Sequence, residues 1–396
     1  MDGSRRMLTG RRNSATGLAS LALAAAIAVI ALAACAGDET RPVSDELDTR
    51  LQRILDDAVA SPETVFPGTA LYVSQPELGT WAGAAGEGNI DPATPMHPDD
   101  VFRAGSVMKP FVATTILQLV EEGMFGLDDP LPSVLPEDVV AQIADADRIT
   151  VRMLLNHTSG LPEFSDEQHE AMVFADPYHV WQVEELLELA FAHPRPFEPG
   201  QGYAYSNTDY VLLGLVIEEA TGQSWREVVR DRVIEPLDLE NTSLPEPGDP
   251  SIGSNGAHGY ELMDGELRDL ADIDPSMADA SGGHALVTTT KDLADFIHAL
   301  LAGELFEQPE TLDEMLGFVE ATDENPYLVG YGLGIERYEL PGGVEMIGHL
   351  GATGGYLAYT GRLPAQEMDI SMVITNAGDP SPVLLPALEL LLGEAS

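Results

Sequence analysis

Residues 106–123 read SVMKPFVATTILQLVEEG, and this stretch predicts both a central helix and a reactive group at its start. Apolar side chains recur at helical spacing and predict a helix from Val107 to Glu122. A spacing of three residues puts Ser106 and Lys109 one turn apart on the same helical face, so the amine can reach the hydroxyl. An adjacent base makes a serine a useful nucleophile, and a helix amino terminus favours a developing oxyanion. A serine N-cap followed by a solvated lysine is the simpler alternative.

A second motif, Tyr205-Ser206-Asn207, comes just before a helix predicted to begin near Asp209. The phenol of Tyr205 is able to transfer a proton, and the amide of Asn207 is able to bind substrate or orient the lysine. The alternative is structural, with Tyr205 as a core aromatic residue and Asn207 as a helix cap.

A third motif, His349-Leu350-Gly351, lies in a predicted strand next to the glycine pair 354–355. A single histidine before a glycine in a strand is more often a packed residue than a catalytic one. The functional interpretation of His349 therefore depends on the other two motifs.

The hydrophobic pattern predicts strands near both ends of the chain and helices between them. The predicted strands are residues 69–74, 80–85, 332–338, 344–348, 355–363 and 370–376. This order predicts an α/β (α+β) fold with an inserted all-α subdomain. We expect the α/β part at about residues 44–125 and 275–396, and the helical part at about residues 126–274.

The composition sets the broad class of protein. The 396 residues include 66 acidic and 19 basic side chains, which give a net charge of −47, and 44% are hydrophobic. This hydrophobic content is ordinary for a folded protein, and the negative charge argues against nucleic acid as a partner because phosphates are repelled. The scarcity of lysine resembles the surfaces of salt-adapted proteins. A single cysteine excludes an internal disulfide.

In their order along the chain, the three motifs resemble those of the active-site serine hydrolases. This group includes D-alanyl-D-alanine carboxypeptidases, class C β-lactamases and related esterases. In it, a serine-x-x-lysine, a tyrosine-x-asparagine and a lysine- or histidine-x-glycine motif converge on one cleft. Segments 154–162, 197–200 and 348–356 also look like segments of this family. The resemblance runs from about residue 45 to the end and implies an antiparallel sheet flanked by helices.

The resemblance implies acyl transfer that needs neither a metal nor an organic cofactor. Ser106 matches the nucleophile, and Lys109 and Tyr205 match the acid/base pair, with the choice of base left open. Substrate-binding roles are implied for Asn207, His349, Gly351 and Ala352. The oxyanion is expected between the backbone N–H groups of Ser106 and Ala352.

One position departs from the family pattern. The middle residue of the third motif is commonly Thr or Ser in the peptidases and β-lactamases, where its hydroxyl helps to hold the substrate carboxylate. Here it is Leu350, and the loss of such a hydrogen bond weakens binding by about 1.5–3 kcal/mol. This disfavours penicillins and D-alanyl-D-alanine termini and favours an ester or a differently shaped amide. His349 in place of lysine also argues against an efficient β-lactamase.

The predicted function is therefore a serine hydrolase that forms a Ser106 acyl-enzyme with a cell-wall D-alanyl peptide or a small ester. A carboxylesterase of the same fold is one alternative. A non-catalytic binding or sensor module of the same fold is another. The intact Ser–Lys pair favours an enzyme, since a binding module has no need of an activated serine.

Residues 1–34 have the pattern of a bacterial export signal. Four arginines precede an apolar run from Leu18 to Ala34, which is short for a membrane-spanning helix but suits a signal peptide. The run ends at Cys35 in a sequence that looks like a lipobox, where the signal is cut and the cysteine carries lipid. The alternatives are a cleaved signal with an incidental cysteine and an uncleaved anchor helix. We expect a tether at 35–43 and the hydrolase domain at 44–396, exported and anchored on the outer face of the bacterial cell membrane.

Lipidation at Cys35 is testable because this is the one cysteine in the sequence. We expect the mature protein to partition with membranes and to carry acyl mass at Cys35, as measured by fractionation and mass spectrometry. A Cys35→Ala protein that is processed and membrane-bound like the wild type would contradict the assignment.

Overall fold

A nine-stranded antiparallel sheet forms the centre of the described part of the chain, residues 42–321 and 325–394 of the computed structural model. The strands, numbered in chain order, are β1 Gly68–Gln75, β2 Gly79–Ile90, β3 Ala93–Pro95, β4 Phe102–Arg103, β5 Tyr260–Met263, β6 Glu266–Asp269, β7 Val287–Thr288, β8 Val319–Glu320, β9 Leu328–Tyr331, β10 Glu336–Leu340, β11 Val344–Thr353, β12 Tyr356–Leu363 and β13 Met368–Ile374. The order across the sheet is β3-β2-β1-β13-β12-β11-β10-β9-β8, and β4–β7 and β5–β6 form two small pairs.

Helices cover both faces of the sheet and fill the middle of the chain. The α-helices are α1 Asp45–Ala60, α2 Met108–Glu121, α3 Glu137–Val140, α4 Val151–Leu155, α5 Glu167–Ala175, α6 Val183–Phe191, α7 Asn207–Thr221, α8 Trp225–Val229, α9 Thr290–Leu301, α10 Pro309–Met315 and α11 Ser381–Glu394. Among the described helices, none is long and apolar enough to cross a membrane. The predicted signal, Cys35 and the tether up to residue 41 lie outside the described residues.

The central strands are buried on both faces, so the sheet separates two hydrophobic clusters. In β13, Ile370, Met372 and Ile374 belong to the cluster that includes residues of α1 and α11. The intervening Val373 belongs to the larger cluster on the opposite face, with residues of α2 and α9. This alternation follows from the two-residue period of a strand.

Helix α2 is anchored in the larger cluster by its apolar side chains. Phe111 stacks on Phe296 of α9, with ring centroids 3.7 Å apart and an interplanar angle of 15°. Burial of a phenylalanine removes a large apolar area from water, so the pair holds α2 firmly against the layer behind the sheet. The residues at the start of α2 are thereby fixed relative to the sheet.

Capping side chains fix the starts of several helices. The Ser44 side chain accepts a hydrogen bond from the Leu47 N–H at 3.3 Å, and Ser224 and Glu227 form a capping box at α8. A third cap lies at the start of α9. Thr289 caps this helix, since its hydroxyl accepts from the Asp292 N–H at 3.1 Å.

Two details of the predicted organisation need correction. Residues 332–338 do not form one strand, because residues 332–335 turn between β9 and β10, with Gly334 at a φ of +77°. The stretch 126–274, predicted to be helical, contains the β5–β6 hairpin. The antiparallel sheet flanked by helices, with helices inserted between strands of the two chain ends, is confirmed.

Candidate active site

Ser106 lies in a short 3-10 turn, Gly105–Val107, between β4 and α2. This turn precedes the predicted helix, so α2 begins at Met108 and not at Val107. The Ser106 side chain is partly exposed and lines a cleft of about 350 Å³. Asn207 and Ala352 line the same cleft. The first motif, the second motif and the residue after the third motif therefore meet at one cavity.

Lys109 is fully buried, and three oxygen atoms surround its amine. Nζ lies 2.7 Å from Asn207 Oδ1, 2.7 Å from the Ser281 carbonyl oxygen and 3.2 Å from Ser106 Oγ. The amide and carbonyl oxygens are able only to accept hydrogen bonds. A neutral Lys109 therefore donates its two N–H bonds to these oxygens and directs its lone pair at the Ser106 hydroxyl.

Burial and nearby charge act in opposite directions on Lys109. Burial is the larger effect and lowers the pKa of Lys109 to about 7, whereas the negative charges of Glu163, Glu336 and Asp209 raise it. The balance makes the free amine accessible near neutral pH. None of these three carboxylates was anticipated from the sequence, although Glu163 directly follows the family-like segment 154–162.

Tyr205 lies on the loop before α7, close to both members of the Ser–Lys pair. Its hydroxyl is hydrogen-bonded to Ser106, and the Lys109 Nζ is 4.6 Å from the centroid of its ring. Burial raises the pKa of Tyr205 well above its usual value, and the negative charge of Glu336 adds to this effect. The phenol therefore remains protonated at neutral pH, which makes it a proton donor.

Asn207 is the first residue of α7, and its side chain and backbone have different partners. The side chain accepts from Lys109, while the backbone N–H donates to Glu163 Oε2 at 2.5 Å. The second Glu163 oxygen accepts from the Ser165 N–H at 2.7 Å. Glu163 thereby ties the start of α7 to the loop that borders the cleft.

A buried pair behind Tyr205 was also missed from the sequence. His157 Nδ1 lies 3.1 Å from Asp209 Oδ2, and the Ser159 hydroxyl donates to the other Asp209 oxygen at 2.6 Å. The Ser206 N–H donates to His157 Nδ1 at 3.3 Å, and the His157 ring centroid is 4.4 Å from that of Tyr205. This pair supports the loop that carries the second motif. The family-like segment 154–162, which contains His157, was the available signal.

His349 is fully buried in β11 and lies between two hydrogen-bond partners. Its Nδ1 is 2.6 Å from the Leu350 carbonyl oxygen, so this nitrogen is the donor. The Tyr331 hydroxyl donates to Nε2 at 2.9 Å. Burial lowers the pKa of His349 to about 3, and the positive charge of Lys109 adds to this effect. The third motif therefore contributes no positive charge at neutral pH.

Gly351 lets β11 pass directly against the Ser106 turn. A Cβ atom added at Gly351 would lie 2.0 Å from the Ala104 carbonyl oxygen and 2.9 Å from the Ser106 nitrogen. A Cβ atom added at Gly105 would lie 2.8 Å from the Ala352 carbonyl oxygen. Only a glycine permits this approach, which brings the backbone of Ala352 next to Ser106.

The walls of the cleft are acidic and apolar. Four carboxylate side chains line it: Asp166, Glu167, Glu170 and Glu261. Apolar side chains line it as well: Val173, Phe174, Ile273 and Met277. No lysine or arginine is among the lining residues in the described ranges. Across the described residues, no group of three His, Cys, Asp or Glu is arranged to hold a metal ion.

Comparison with known proteins gives several consistent matches. Penicillin-binding protein 4 of Amycolatopsis lactamdurans is 28% identical over 314 residues, covering 75% of this chain and 77% of that protein. Esterase EstB of Burkholderia gladioli is 32% identical over 203 residues, so the match spans 49% of this chain and about half, 51%, of the esterase.

The solved structures extend the similarity over more of the chain. A D-stereospecific amidohydrolase from Streptomyces sp. has a TM-score of 0.76 and 32% identity, covering 85% of this chain and 97% of that one. A D-amino acid amidase from Ochrobactrum anthropi SV3, in complex with L-phenylalanine, has a TM-score of 0.76 and 28% identity, covering 88% and 99%.

The family model described as Beta-lactamase matches residues 49–394, which is nearly all of the described chain. The resemblance noted from the three motifs is therefore confirmed. The chain belongs to the β-lactamase family of serine hydrolases.

Proposed function

We propose that Ser106 is the nucleophile of an amide- or ester-hydrolysing enzyme that works through an acyl-enzyme. The observation that carries this proposal is the contact between the buried Lys109 amine and the Ser106 hydroxyl, at 3.2 Å. A buried lysine with a pKa of about 7 is able to accept the hydroxyl proton at neutral pH. A solvated lysine behind a serine N-cap would have neither the burial nor the partners.

In the proposed reaction, the Ser106 proton moves to Lys109 as Oγ attacks the substrate carbonyl. The oxyanion lies between the N–H groups of Ser106 and Ala352. As the tetrahedral intermediate collapses, the bond to the leaving group breaks and the leaving group takes a proton from Tyr205, which Lys109 then reprotonates. Water then attacks the resulting ester and its proton passes to Lys109. As the bond between the acyl carbon and Ser106 Oγ breaks, Lys109 returns this proton to Oγ and the acid product leaves. Asn207 orients the lysine, and His349 and Gly351 shape the strand beside the substrate.

We propose as substrates the amides or esters of amino acids that carry a free amino group. The cleft supports this choice, because Glu170 and Glu261 line it. Burial raises the pKa of Glu261, and the negative charge of Glu170 adds to this effect. An ammonium group between these carboxylates relieves their repulsion. A substrate carboxylate, in contrast, finds no lysine or arginine among the described residues that line the cleft, and the nearby His349 is neutral.

The named relatives support amino-acid amides in particular. The two solved structures are entitled a D-stereospecific amidohydrolase and a D-amino acid amidase, and each is covered almost completely by this chain. A D-configured amino-acid amide is therefore our first candidate substrate. A cell-wall D-alanyl peptide is the next, since penicillin-binding protein 4 is also similar. A carboxylesterase is favoured specifically by the 32% identity to esterase EstB.

A non-catalytic binding module is the alternative from another class. The buried Lys109 amine disfavours this alternative. Removing a lysine amine from water costs free energy unless its hydrogen bonds are replaced. A binding role for the cleft would not require this arrangement at Lys109.

We also propose that the protein is exported and lipid-anchored, which is supported by the lipobox-like sequence ending at Cys35.

Replacement of Ser106 tests the proposed nucleophile. We expect Ser106→Ala to abolish covalent labelling by a fluorophosphonate and to lower turnover of a nitrophenyl ester by several orders of magnitude, because nucleophile and base act as a unit. Ser133→Ala, on the exposed surface, is the matched control and should label like the wild type. Labelling of a folded Ser106→Ala protein would show that another residue is acylated.

The pH dependence tests Lys109 as the base. Only the neutral amine accepts a proton, so kcat/KM should fall about tenfold per pH unit below the Lys109 pKa of about 7 and level off above it. Lys109→Ala should remove this activity, whereas Lys291→Ala, at the exposed second lysine, should keep the profile. An acid limb absent between pH 5 and 9 would rule out the lysine base.

The substrate class is tested with a matched pair of amides, D-alaninamide and N-acetyl-D-alaninamide. We expect kcat/KM to be about threefold to tenfold higher for the free amine, and the difference to shrink in molar salt and in Glu261→Gln. Equal rates for both amides would contradict the ammonium site. A nitrophenyl ester measured in parallel shows whether the hydrolase itself is active.

A further inference from the structure

Glu336 is a buried carboxylate at the first position of β10, where only 6% of the residue is exposed. Its Oε2 accepts a hydrogen bond from the Leu350 backbone N–H at 2.7 Å. The Tyr338 hydroxyl donates to the same oxygen. A buried acidic residue in a strand is unusual, because a charge removed from water needs compensating contacts. The contacts of Glu336 within the site must therefore compensate for its removal from water.

The register of the sheet explains why the Leu350 N–H needs a side-chain partner. Glu336 pairs with Gly348, so a longer β10 would have placed residue 334 opposite Leu350. The chain instead turns at Gly334, whose own N–H donates to the Leu155 carbonyl at 3.1 Å. The side chain of Glu336 takes the place of the missing strand backbone. A buried backbone N–H left without an acceptor would be costly.

The Glu336 side chain in place of a strand backbone also affects Ala352, two residues further along β11. In an antiparallel strand, alternate residues direct their N–H groups to the same side. The Leu350 and Ala352 N–H groups therefore point to the same edge, the one that β10 has left open. Leu350 is held there by Glu336, while Ala352 reaches the Ser106 turn, where its backbone faces Gly105. The open edge is what allows a substrate carbonyl to reach the Ala352 N–H.

The same carboxylate also acts on the charge of the site. Glu336 is one of the groups whose negative charge raises the pKa of Lys109, beside Glu163 and Asp209. The other titratable groups around Lys109 and Glu336 come from several elements: His157, Tyr205, Tyr210, Tyr331, Tyr338, His349 and Tyr359. Burial favours the neutral form of each of these phenols and imidazoles. It also raises the pKa of Glu163 and Asp209.

We propose that Glu336 is a positioning residue for acyl transfer, which holds the Leu350 N–H and thereby aims the Ala352 N–H at the oxyanion. This inference rests on the proposed reaction at Ser106. Glu336 does not touch the reacting atoms, and its effect passes through β11. The two contributions of Glu336, hydrogen-bond acceptor and negative charge, are separable because an amide keeps the first and loses the second.

Three variants separate these contributions. Glu336→Ala removes both the acceptor and the charge, and Glu336→Gln keeps an acceptor oxygen without the charge. Glu339→Gln is the matched control, since Glu339 lies on the same strand but is exposed to solvent. Each protein is assayed for kcat and KM on a nitrophenyl ester, for the pH profile of kcat/KM, and for thermal unfolding.

We expect Glu336→Ala to lower kcat by about tenfold to hundredfold with KM changed less than about threefold, because a misplaced oxyanion donor weakens transition-state binding. Glu336→Gln should keep kcat within about threefold of the wild type. Its acid limb should move to lower pH, since a negative charge near Lys109 is gone. Glu339→Gln should match the wild type in every respect.

Two results would overturn the proposal. One is an unchanged kcat in Glu336→Ala. The other is an unmoved acid limb in Glu336→Gln together with a kcat loss as large as that in Glu336→Ala, which is the result expected of a purely structural carboxylate. If Glu336→Ala does not fold, Glu336→Gln decides by itself, because an unmoved acid limb together with a kcat lowered about tenfold or more would overturn the proposal. The Ser106→Ala protein keeps the two hypotheses apart, because activity retained there removes the acyl-enzyme whatever Glu336 does.

Discussion

The burial of one lysine amine constrains the whole arrangement of the site. Lys109 is out of contact with water, so its hydrogen-bonding groups need partners from the protein. Those partners come from separate parts of the chain: the Ser106 turn, the start of α7 at Asn207 and the backbone at Ser281. Satisfying this single group brings together elements far apart in sequence. Its neutral form leaves a lone pair directed at the Ser106 hydroxyl.

Burial also decides the protonation of the groups around this amine. It lowers the pKa of Lys109 and His349 and raises the pKa of Tyr205 and Tyr331, so each of these groups moves toward its neutral form. Lys109 alone has opposing carboxylates strong enough to keep it titrating near neutral pH. A lysine amine that is neutral near pH 7 and a phenol that stays protonated thus arise from the same desolvation acting on two kinds of side chain.

The edge of the sheet supplies the remaining part of the site. Because β10 begins only at Glu336, the end of β11 has no neighbouring strand on the β10 side, and backbone N–H groups on that side lack a strand partner. One of them is held by a carboxylate, and another faces the Ser106 turn. Relatives entitled penicillin-binding protein, esterase and amidase share this family. Function within one fold is set by such local groups.

The sequence by itself determined the features that depend on neighbours within a few residues. Helical spacing placed Ser106 and Lys109 on one face, and the hydrophobic pattern predicted β1, β12 and β13. The motif order identified the family. Only the tertiary structure decided the turn at 332–335, where β10 gives way to the Glu336 side chain. It alone placed Glu163, Asp209 and Glu336 around Lys109 and made His349 neutral. The physical reason is that desolvation and Coulomb effects depend on which distant segments pack together, which no local pattern encodes.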